Sequence, residues 1–279
     1  MVYLLYNPLT QNGEGEKLKN QAKIDLKDFF PRFEEINVLE LQVEEFVKRL
    51  QPEDTLILVG GDGTLNHFAN YAYEKKIDIP MFLYKAGTGN DFLRDIEAKE
   101  KLVPILPYLQ KLPKVTINGQ SRYFINGIGY GIDGMVCEIA DEMKAKGIKN
   151  INYTAISIKL LLGKYKCANA IVFVDGREYR FKKVWIASAM FGRYYGGGMM
   201  VAPTQNRTSG RLSFVVMHKS GKLRTLMTFS AIFKGGHLKR KKYCSLMEGN
   251  RIEVRFDKPM ALQIDGEVVK NVTSYVAEL

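Results

Sequence analysis

The stretch from Leu56 to Tyr71, LILVGGDGTLNHFANY, constrains the fold of this chain more than any other. An apolar run ends at Val59 in two glycines, an aspartate, a third glycine and a threonine, and a helical pattern follows at once. This order is typical of a strand that passes through a tight turn into a helix. Glycines in the turn permit backbone angles that other residues resist, and they let an anion approach the main-chain N–H groups. The stretch therefore predicts a strand–turn–helix unit that can bind an anion.

The same alternation of apolar runs and amphipathic stretches fills the first third of the chain. The predicted strands are Val2–Tyr6, Glu34–Leu39, Thr55–Val59 and Met81–Tyr84, and the predicted helices are Glu14–Phe29, Val43–Leu50 and Thr64–Lys76. Alternation at this spacing favours a parallel sheet covered by helices, and ligands of such sheets bind at the carboxyl ends of the strands. Three polar loops follow predicted strands at that edge, namely Asn7-Pro8, Gly60–Thr64 and Gly87–Asp91.

After about Lys114 the pattern becomes that of a largely antiparallel sheet. Asp175-Gly176 and Asp265-Gly266 are strong signals for hairpin turns. The predicted strands are Val115–Asn118, Tyr123–Asn126, Ala170–Val174, Tyr179–Ala189, Leu212–Met217, Arg251–Phe256 and Ala261–Ile264, and the predicted helices are Asp133–Lys146, Asn152–Leu162 and Leu223–Lys234. We therefore expect a parallel α/β domain over residues 1–114 and a mainly antiparallel β-sandwich over residues 115–279. The last residues are expected to pair with either domain.

Composition narrows the class of partner and the compartment. The formal net charge of +11 suits nucleic acid, an anionic membrane surface or a phosphorylated small molecule, with a solvated basic surface as the alternative. The three cysteines and three histidines are scattered, so neither a disulfide framework nor a zinc site is indicated. The opening MVYLLYNPLT lacks the features of a signal peptide, and no run is long and apolar enough to span a membrane. We therefore expect a cytoplasmic protein.

Asp62 is the residue of the first glycine loop that indicates a chemical role. A carboxylate there would repel a bare phosphate, so it indicates either a cation such as Mg²⁺ between Asp62 and a nucleotide, or a base. Thr64 is placed to cap the helix and to bond a phosphate oxygen. The alternative is a tight turn in which Asp62 or Thr64 only caps. Because GTGND at Gly87–Asp91 repeats glycine, threonine and aspartate after the next strand, the nucleotide-binding interpretation is favoured.

Seven motifs carry a family resemblance when they are taken in chain order. They are YNPLT (Tyr6–Thr10), GGDGTLN (Gly60–Asn66), GTGND (Gly87–Asp91), NGIGYGIDGMV (Asn126–Val136), YGGGMMVAP (Tyr195–Pro203), GGH (Gly235–His237) and IDGE (Ile264–Glu267). GGDGT alone is shared with NAD kinases and phosphofructokinases, whereas the ordered set is much more specific. The chain resembles, over nearly its whole length, the bacterial lipid kinases with a diacylglycerol kinase catalytic domain, which are related to sphingosine and ceramide kinases.

The resemblance implies a kinase that binds ATP and Mg²⁺ between a Rossmann-like first domain and a β-sandwich. It would phosphorylate the hydroxyl of diacylglycerol or a related lipid alcohol, with Glu267 accepting the proton and Asp62 as a second catalytic candidate. Asp62 and Asp91 would hold Mg²⁺ through ATP. The residues implied in nucleotide binding are Asn7, Pro8, Leu9, Thr10, Gln11, Gly61, Asp62, Gly63, Thr64, Leu65, Asn66, His67 and Thr88. On pattern alone, Glu267 would be a solvated hairpin residue.

The chain departs from the family pattern at three places. His67 stands where a glutamate is usual, and Ala86 stands where a proline is usual. The third departure is Thr208-Ser209-Gly210, flanked by Arg207 and Arg211, in the place of an Asp-Asp-Gly that helps to bind a structural Mg²⁺. Since hard cations need anionic or carbonyl oxygens, we predict no Mg²⁺ near Ser209. A nucleotide- or lipid-binding homologue with impaired catalysis, and less favourably an NAD kinase, are the alternative functions.

The segment KGGHLKRKK follows an apolar helical pattern and predicts contact with a membrane surface. Lys239, Arg240, Lys241 and Lys242 would bind anionic lipid, because each basic residue near such a surface contributes about 1 kcal/mol. A solvated basic loop is the alternative. Nucleic acid also suits the charge, but no nucleic-acid-binding module accompanies it, so we predict no such partner. Family members tend to form dimers, so the resemblance implies a homodimer as one assembly.

Overall fold

A computed structural model of the chain describes residues 1–86, 90–148, 151–163 and 165–279. The chain divides into two compact units, Met1–Leu112 and Pro113–Leu279. Within the described ranges, no helix combines the length and the apolar character needed to cross a bilayer.

The first unit is built on a five-stranded sheet with the strand order β2-β1-β3-β4-β5. Its strands are β1 (Val2–Tyr6), β2 (Glu34–Asn37), β3 (Thr55–Gly60), β4 (Met81–Lys85) and β5 (Leu102–Pro104). The first four strands pair in parallel, and β5 joins β4 antiparallel at the edge. The centre of the sheet is fully buried on both faces at Leu4, Leu5, Ile57 and Leu58, which explains why β1 and β3 read as continuous apolar runs.

Six helices of the described residues surround this sheet. They are α1 (Thr10–Gly13), α2 (Gly15–Leu26), α3 (Val43–Arg49), α4 (Asp62–Glu74), α5 (Asp91–Asp95) and α6 (Leu106–Leu109). The single helix predicted over Glu14–Phe29 is wrong in its bounds, because α1 precedes it and α2 ends at Leu26. At the junction, a Cβ atom on Gly15 would lie 2.0 Å from the carbonyl oxygen of Asn7, so only glycine lets the backbone approach so closely.

The second unit is built on a nine-stranded antiparallel sheet. Its strands are β6 (Lys114–Ile117), β7 (Gln120–Tyr123), β8 (Gly127–Gly131), β9 (Ala168–Val174), β10 (Arg177–Met190), β13 (Leu212–His218), β14 (Cys244–Gly249), β15 (Arg251–Ile264) and β16 (Glu267–Glu278), while β11 (Tyr194–Tyr195) and β12 (Met199–Met200) form a separate small ribbon. The long strands β10 and β15 each change partner along their length, pairing with β9 in one half and with β8 in the other. Register shifts within both strands accompany this change. The first unit and this sandwich-like sheet confirm the predicted fold class.

Both predicted hairpin turns are confirmed. Asp175 and Gly176 have φ values of 48° and 84°, and Asp265 and Gly266 have 47° and 93°. Two consecutive residues with positive φ are the mark of a type I′ turn, whose twist matches that of the paired strands. The second turn brings Ile264 opposite Glu267 in the β15–β16 ladder.

Several strand bounds in the second unit differ from the prediction. The strand predicted over Tyr123–Asn126 is wrong, because β7 ends at Tyr123 and the next strand begins at Gly127. The two strands predicted on either side of Asp257–Met260 form the single strand β15, with a bulge where the apolar alternation is interrupted. Strand β16 pairs with both β15 and β6.

Three helices, α7 (Ile132–Ala145), α8 (Tyr153–Leu162) and α9 (Lys222–Ile232), pack on the second sheet, and a short 3-10 helix follows at Gly236–Lys239. Their buried faces share one apolar cluster with β10 and β13, including Val136, Leu161, Ile186, Met217 and Phe229.

Candidate active site

The carboxyl edge of the parallel sheet carries the loops after β1 and β3 and the start of the loop after β4. Tyr6 is paired with Val59, and Val59 is paired with Tyr84, so β1, β3 and β4 end at the same level. The backbone N–H of Ala86 donates to the carbonyl oxygen of Gly60 at 3.4 Å, which joins the loops after β3 and β4. The sheet therefore brings the first two predicted nucleotide loops to neighbouring positions. Thr88, together with Gly87 and Gly89, lies outside the described residues.

The first of these loops is a compact turn around Asn7. Its side-chain oxygen accepts a hydrogen bond from the N–H of Leu9 at 2.9 Å, and its carbonyl oxygen accepts one from Thr10 at 3.0 Å. The carbonyl oxygen of Pro8 accepts a bond from Gly15 at 3.2 Å, and Gln11 has a positive φ of 52°. These bonds hold the predicted nucleotide residues from Asn7 to Gln11 in one folded loop.

Asp62 joins the second loop to the third. One carboxylate oxygen accepts the backbone N–H of Asp91 at 2.7 Å, and the other accepts that of Phe92 at 2.9 Å. Both N–H groups belong to the first turn of α5, where no intrahelical acceptor exists, so Asp62 supplies one from a distance of 29 residues. Asp91 itself is buried. The carboxylate that was predicted to hold a cation or act as a base therefore also fixes the geometry of two loops.

Thr64 does not cap α4, and this part of the prediction is wrong. The helix begins at Asp62, with Gly61 before it and no side-chain cap, so Thr64 lies inside the first turn. Thr64 is instead buried against β3, where a Cβ atom on Gly60 would lie 2.4 Å from its hydroxyl oxygen. Gly60 is therefore needed for α4 to pack closely on the strand.

The remaining predicted residues of α4 divide between its two faces. Leu65 and Asn66 are buried, and Asn66 accepts a hydrogen bond from the Asn70 side chain through its backbone carbonyl oxygen at 2.9 Å. His67 is exposed, with its ring 5.1 Å from that of Tyr71. Only the outer face and the N-terminus of α4 present groups to a ligand.

The N-terminus of α4 fits an anionic phosphate. The first-turn N–H groups of a helix lack intrahelical acceptors, and the helix dipole adds positive potential at that end. A Cβ atom on Gly63 would meet no atom within 4 Å, so the space beside this turn is open. For Mg²⁺ the fit is looser, because within the described residues no three His, Cys, Asp or Glu side chains lie close enough together to hold a metal. Phosphate oxygens and water would have to complete the coordination.

In the second unit, Asp265 anchors the hairpin that carries Glu267. Its carboxylate accepts the backbone N–H groups of Ile125, Asn126 and Gly127 at 2.6, 2.9 and 2.9 Å. Arg207 binds the same segment, donating to the carbonyl oxygen of Ile125 and, at 2.7 Å, to the side-chain oxygen of Asn126. The tip of the hairpin is thus fixed to the start of β8.

Glu267 itself lies at the surface in an ion pair. Its carboxylate is 2.8 Å from the guanidinium of Arg122, and 55% of its side chain is exposed. Sequence reasoning missed Arg122, because β7 was not predicted and nothing in its local pattern distinguishes it. The arrangement presents a carboxylate on a rigid turn, with a cation that orients it.

The segment with Ser209 is held by arginines. Arg207 binds residues 125 and 126, as described, and Arg211 donates to the carbonyl oxygen of Glu248 at 2.7 Å. The Ser209 hydroxyl accepts the N–H of Arg211 at 3.2 Å. The absence of Mg²⁺ near Ser209 stays a prediction.

A buried polar cluster in the second unit was also missed, although two of the quoted motifs contain its members. The Asp133 carboxylate accepts hydrogen bonds from the hydroxyls of Tyr195 and, at 3.3 Å, of Ser188. Burial raises the pKa of Asp133 to about 6, and these two hydrogen bonds only partly oppose the shift. A Cβ atom on Gly129 would lie 2.7 Å from the Asp133 carboxylate, so the glycine of β8 makes room for the cluster.

Comparison with known proteins agrees with both halves of this description. Residues 1–117 match the family model described as the diacylglycerol kinase catalytic domain, and residues 126–277 match the YegS C-terminal NAD kinase beta sandwich-like domain. The two matches together span nearly the whole chain in the expected order.

Individual relatives are distant in sequence. A candidate lipid kinase of Staphylococcus aureus (strain MSSA476) is 23% identical over 244 residues, which are 82% of this chain and 74% of that protein. A diacylglycerol kinase of Mycobacterium tuberculosis (strain H37Rv) is 24% identical over 194 residues, 66% of this chain and 62% of that protein. The crystal structure of a diacylglycerol kinase from Bacillus anthracis (strain Sterne) has a TM-score of 0.69 at 19% identity, over 99% of this chain and 92% of that one. At this identity, the likeness to the solved structure shows a shared fold.

Proposed function

This chain belongs to the family of diacylglycerol-kinase-like lipid kinases, which are phosphotransferases with an alcohol group as acceptor, and we propose that it transfers the γ-phosphate of ATP to the hydroxyl of diacylglycerol or a related lipid alcohol. The observation that carries the proposal is the pair of hydrogen bonds that the Asp62 carboxylate accepts from the backbone N–H groups of Asp91 and Phe92. This contact joins two loops at the N-terminus of α4, where a helix end and open space suit a phosphate.

The chain's own groups would bind ATP in two ways. Backbone N–H groups at Gly61–Thr64 would hold phosphate oxygens, and the folded loop from Asn7 to Gln11, with Thr88, would position the rest of the nucleotide. Mg²⁺, when bound, would neutralise the charge that develops on the phosphates, and Asp62 and Asp91 are the carboxylates proposed to orient it through ATP. His67 lies on the exposed face of α4, where it can approach the nucleotide without contributing negative charge.

Glu267 is the proposed proton acceptor. As the hydroxyl oxygen of the lipid attacks the γ-phosphorus, its proton passes to the Glu267 carboxylate and the bond to the β-phosphate oxygen breaks. A carboxylate is a weak base, so most of the rate must come from holding hydroxyl and phosphate in line. Arg122 orients the Glu267 carboxylate, and Asp265 keeps the turn rigid.

A direct assay tests the proposal. The protein is incubated with labelled ATP and Mg²⁺ against diacylglycerol, a sphingoid base and NAD in separate reactions. We expect label in the lipid fraction, and label in NAD would instead establish an NAD kinase. The absence of transfer to every acceptor would overturn the proposal.

A second candidate is a homologue that binds nucleotide or lipid but has lost catalysis. The observation that favours it is that Thr208 and Ser209 stand where the family pattern has acidic residues, beside Arg207, whose guanidinium binds residues 125 and 126. ATP binding in a titration, combined with no transfer to any acceptor, would establish this alternative.

A further inference from the structure

One face of the second unit exposes large apolar side chains on two neighbouring helices. Leu223 is 69% exposed and Met227 is 49% exposed on α9, and Leu162 is 54% exposed at the end of α8. Ile158, one helical turn before Leu162, is also exposed. We call these four residues the apolar ridge. Exposed apolar residues are normal when scattered, whereas a contiguous group marks an interaction site.

The ridge is contiguous because the two helices pack together and one lysine joins their ends. Helix α8 contacts α9, and the Lys222 ammonium donates to the carbonyl oxygens of Leu162 at 3.0 Å and Gly163 at 2.8 Å. This bond brings Leu162 beside the start of α9. Leu223 and Met227 are four residues apart, so they lie on one side of that helix.

The chain segments that carry the ridge contain basic residues and no acidic ones, whereas α7, which packs against α8, adds the exposed acids Asp141 and Glu142. Between His218 and Met247 the sequence has no aspartate or glutamate. It has eight basic residues, namely Lys219, Lys222, Arg224, Lys234, Lys239, Arg240, Lys241 and Lys242. Helix α8 likewise contains Lys159 and no acidic residue. The segment from Lys219 to Lys242 is therefore complementary to an anionic surface.

The structure separates these basic residues by role. Arg240 donates to the Thr228 hydroxyl at 2.8 Å, and Arg224 bonds the Tyr243 hydroxyl while lying 4.8 Å from its ring, so both hold the segment against α9. Lys239, Lys241 and Lys242 are exposed. The predicted cluster from Lys239 to Lys242 therefore contains three side chains that can reach a partner and one arginine that fixes their position.

We propose that the apolar ridge and these three lysines dock the protein on the surface of an anionic lipid bilayer. This inference rests on the proposed function, in which the acceptor is a membrane lipid. The lysines would bind headgroup phosphates, and the ridge would enter the interface, as amphipathic helices do. A nucleic acid would use the charge but not the ridge, so the apolar side chains distinguish the two partners.

Vesicle sedimentation with the full chain, without nucleotide, tests the inference. Vesicles of phosphatidylcholine are compared with vesicles containing roughly one-third phosphatidylglycerol, and binding is expected only to the latter. Replacing Lys239, Lys241 and Lys242 by glutamine should lower partitioning on the order of 100-fold, since each lysine contributes about fivefold. Raising the salt from about 0.1 M to about 1 M should weaken binding of the parent protein, because screening shortens from about 10 to about 3 Å.

The ridge is tested by Leu223→Ser with Met227→Ser, which should lower partitioning by roughly tenfold or more at unchanged charge. Matched controls lie in the first unit. Lys27, Lys76 and Lys99 are exposed, so their replacement by glutamine removes the same three charges, and Ile24→Ser with Phe29→Ser removes exposed apolar groups. Both controls should bind vesicles as the parent does. If they lose as much as the docking variants, or if the Leu223/Met227 variant binds normally, the inference is overturned.

Two further measurements keep this inference separate from the proposed function. Phosphate transfer to a lipid alcohol dissolved in detergent micelles should be the same for the lysine variant and the parent. If transfer fails while parent vesicle binding follows the pattern above, the docking inference stands and the kinase proposal fails. Binding to a duplex oligonucleotide that the lysine variant loses and the ridge variant keeps, with no vesicle binding by the parent, would assign the surface to nucleic acid and overturn the inference.

Discussion

The two units of this protein use an aspartate beside a glycine for the same task in different settings. Asp62 follows a parallel strand and accepts two backbone N–H groups from α5, whereas Asp265 stands in an antiparallel hairpin and accepts three from residues 125–127. Each carboxylate holds a distant segment beside its own turn. In the first unit this joins two glycine loops at a helix end, and in the second it anchors the turn next to Glu267.

In the first unit one loop residue serves both structure and chemistry, whereas in the second unit two residues share these tasks. Asp62 is predicted to bind a cation or to act as a base, and its two carboxylate oxygens are also needed to hold α5. In the second unit the two tasks are on different residues, because Asp265 holds the turn and Glu267, two positions along, projects to the surface. Substitution of Asp265 should therefore affect mainly stability, and substitution of Glu267 mainly activity. Substitution of Asp62 in the first unit should affect both.

The largest effect is expected for Asp265→Ala. Three N–H groups would lose a charged acceptor, and each such hydrogen bond contributes about 1.5–3 kcal/mol, so we expect the free energy of unfolding to fall by roughly 4 kcal/mol or more. Urea unfolding measures the change, and Asp265→Asn, which keeps one acceptor oxygen, should lose less. Glu267→Gln is the matched control, with stability within about 0.5 kcal/mol of the parent and kcat lowered by about 100-fold or more. Equal stability of Asp265→Ala and the parent would contradict a structural role for the Asp265 carboxylate.

Asp62→Ala should have the next largest effect, and it should lower both stability and ATP affinity. Loss of two charge-assisted bonds is expected to cost about 3 kcal/mol of unfolding free energy. Because the start of α5 would shift relative to α4, ATP affinity should fall as well, which calorimetric titration measures. His67→Gln, on the exposed face of the same helix, should leave stability unchanged. Full ATP affinity in a folded Asp62→Ala protein would show that the loop contact does not shape the nucleotide site.

Away from the turns, the two units contain aspartates with opposite pKa shifts. Burial raises the pKa of Asp133 to about 6, so its native form binds a proton more readily than the unfolded chain does. The resulting stability is full below about pH 4 and is lost as the pH rises through 6, by roughly 3 kcal/mol. Asp133→Asn should lack this dependence. Denaturant unfolding of both proteins at several pH values measures it, and parallel pH profiles would contradict the assignment.

The smallest effect is expected at Asp25 in the first unit, and its sign is reversed. Hydrogen bonds from Lys101, Tyr84 and Gln21 lower the pKa of Asp25 to about 2. Its contribution is present above the unfolded pKa of about 4 and is lost as the pH falls towards 2. The difference in unfolding free energy between the parent and Asp25→Asn should therefore shrink between pH 4 and 2, as thermal unfolding can record. A difference that grows on acidification would be inconsistent with this sign.

The fold class followed from local patterns, and the contacts across the chain did not. Apolar runs such as Leu56–Val59 and the turns Asp175-Gly176 and Asp265-Gly266 are local signals, and the structure confirms them. Strand β15 was predicted as two pieces because its bulge interrupts the alternation without ending the strand. The anchoring of residues 125–127 by Asp265 spans about 140 residues, and no local pattern carries such a contact. The same is true of the pair between Arg122 and Glu267.

The position of β16 has a consequence for the order in which the protein is made. Residues 267–278 lie between β15 and β6, so β6, which pairs with β7 on one side, lacks its partner on the other side until the ribosome has released residue 278. The first unit has all five of its strands by Pro104. Since domains generally fold as they emerge, the parallel sheet of the first unit can form early. The strand edges of the antiparallel sheet in the second unit stay uncovered through most of synthesis. Chaperone dependence and sensitivity to stalled translation should therefore concentrate in the second unit.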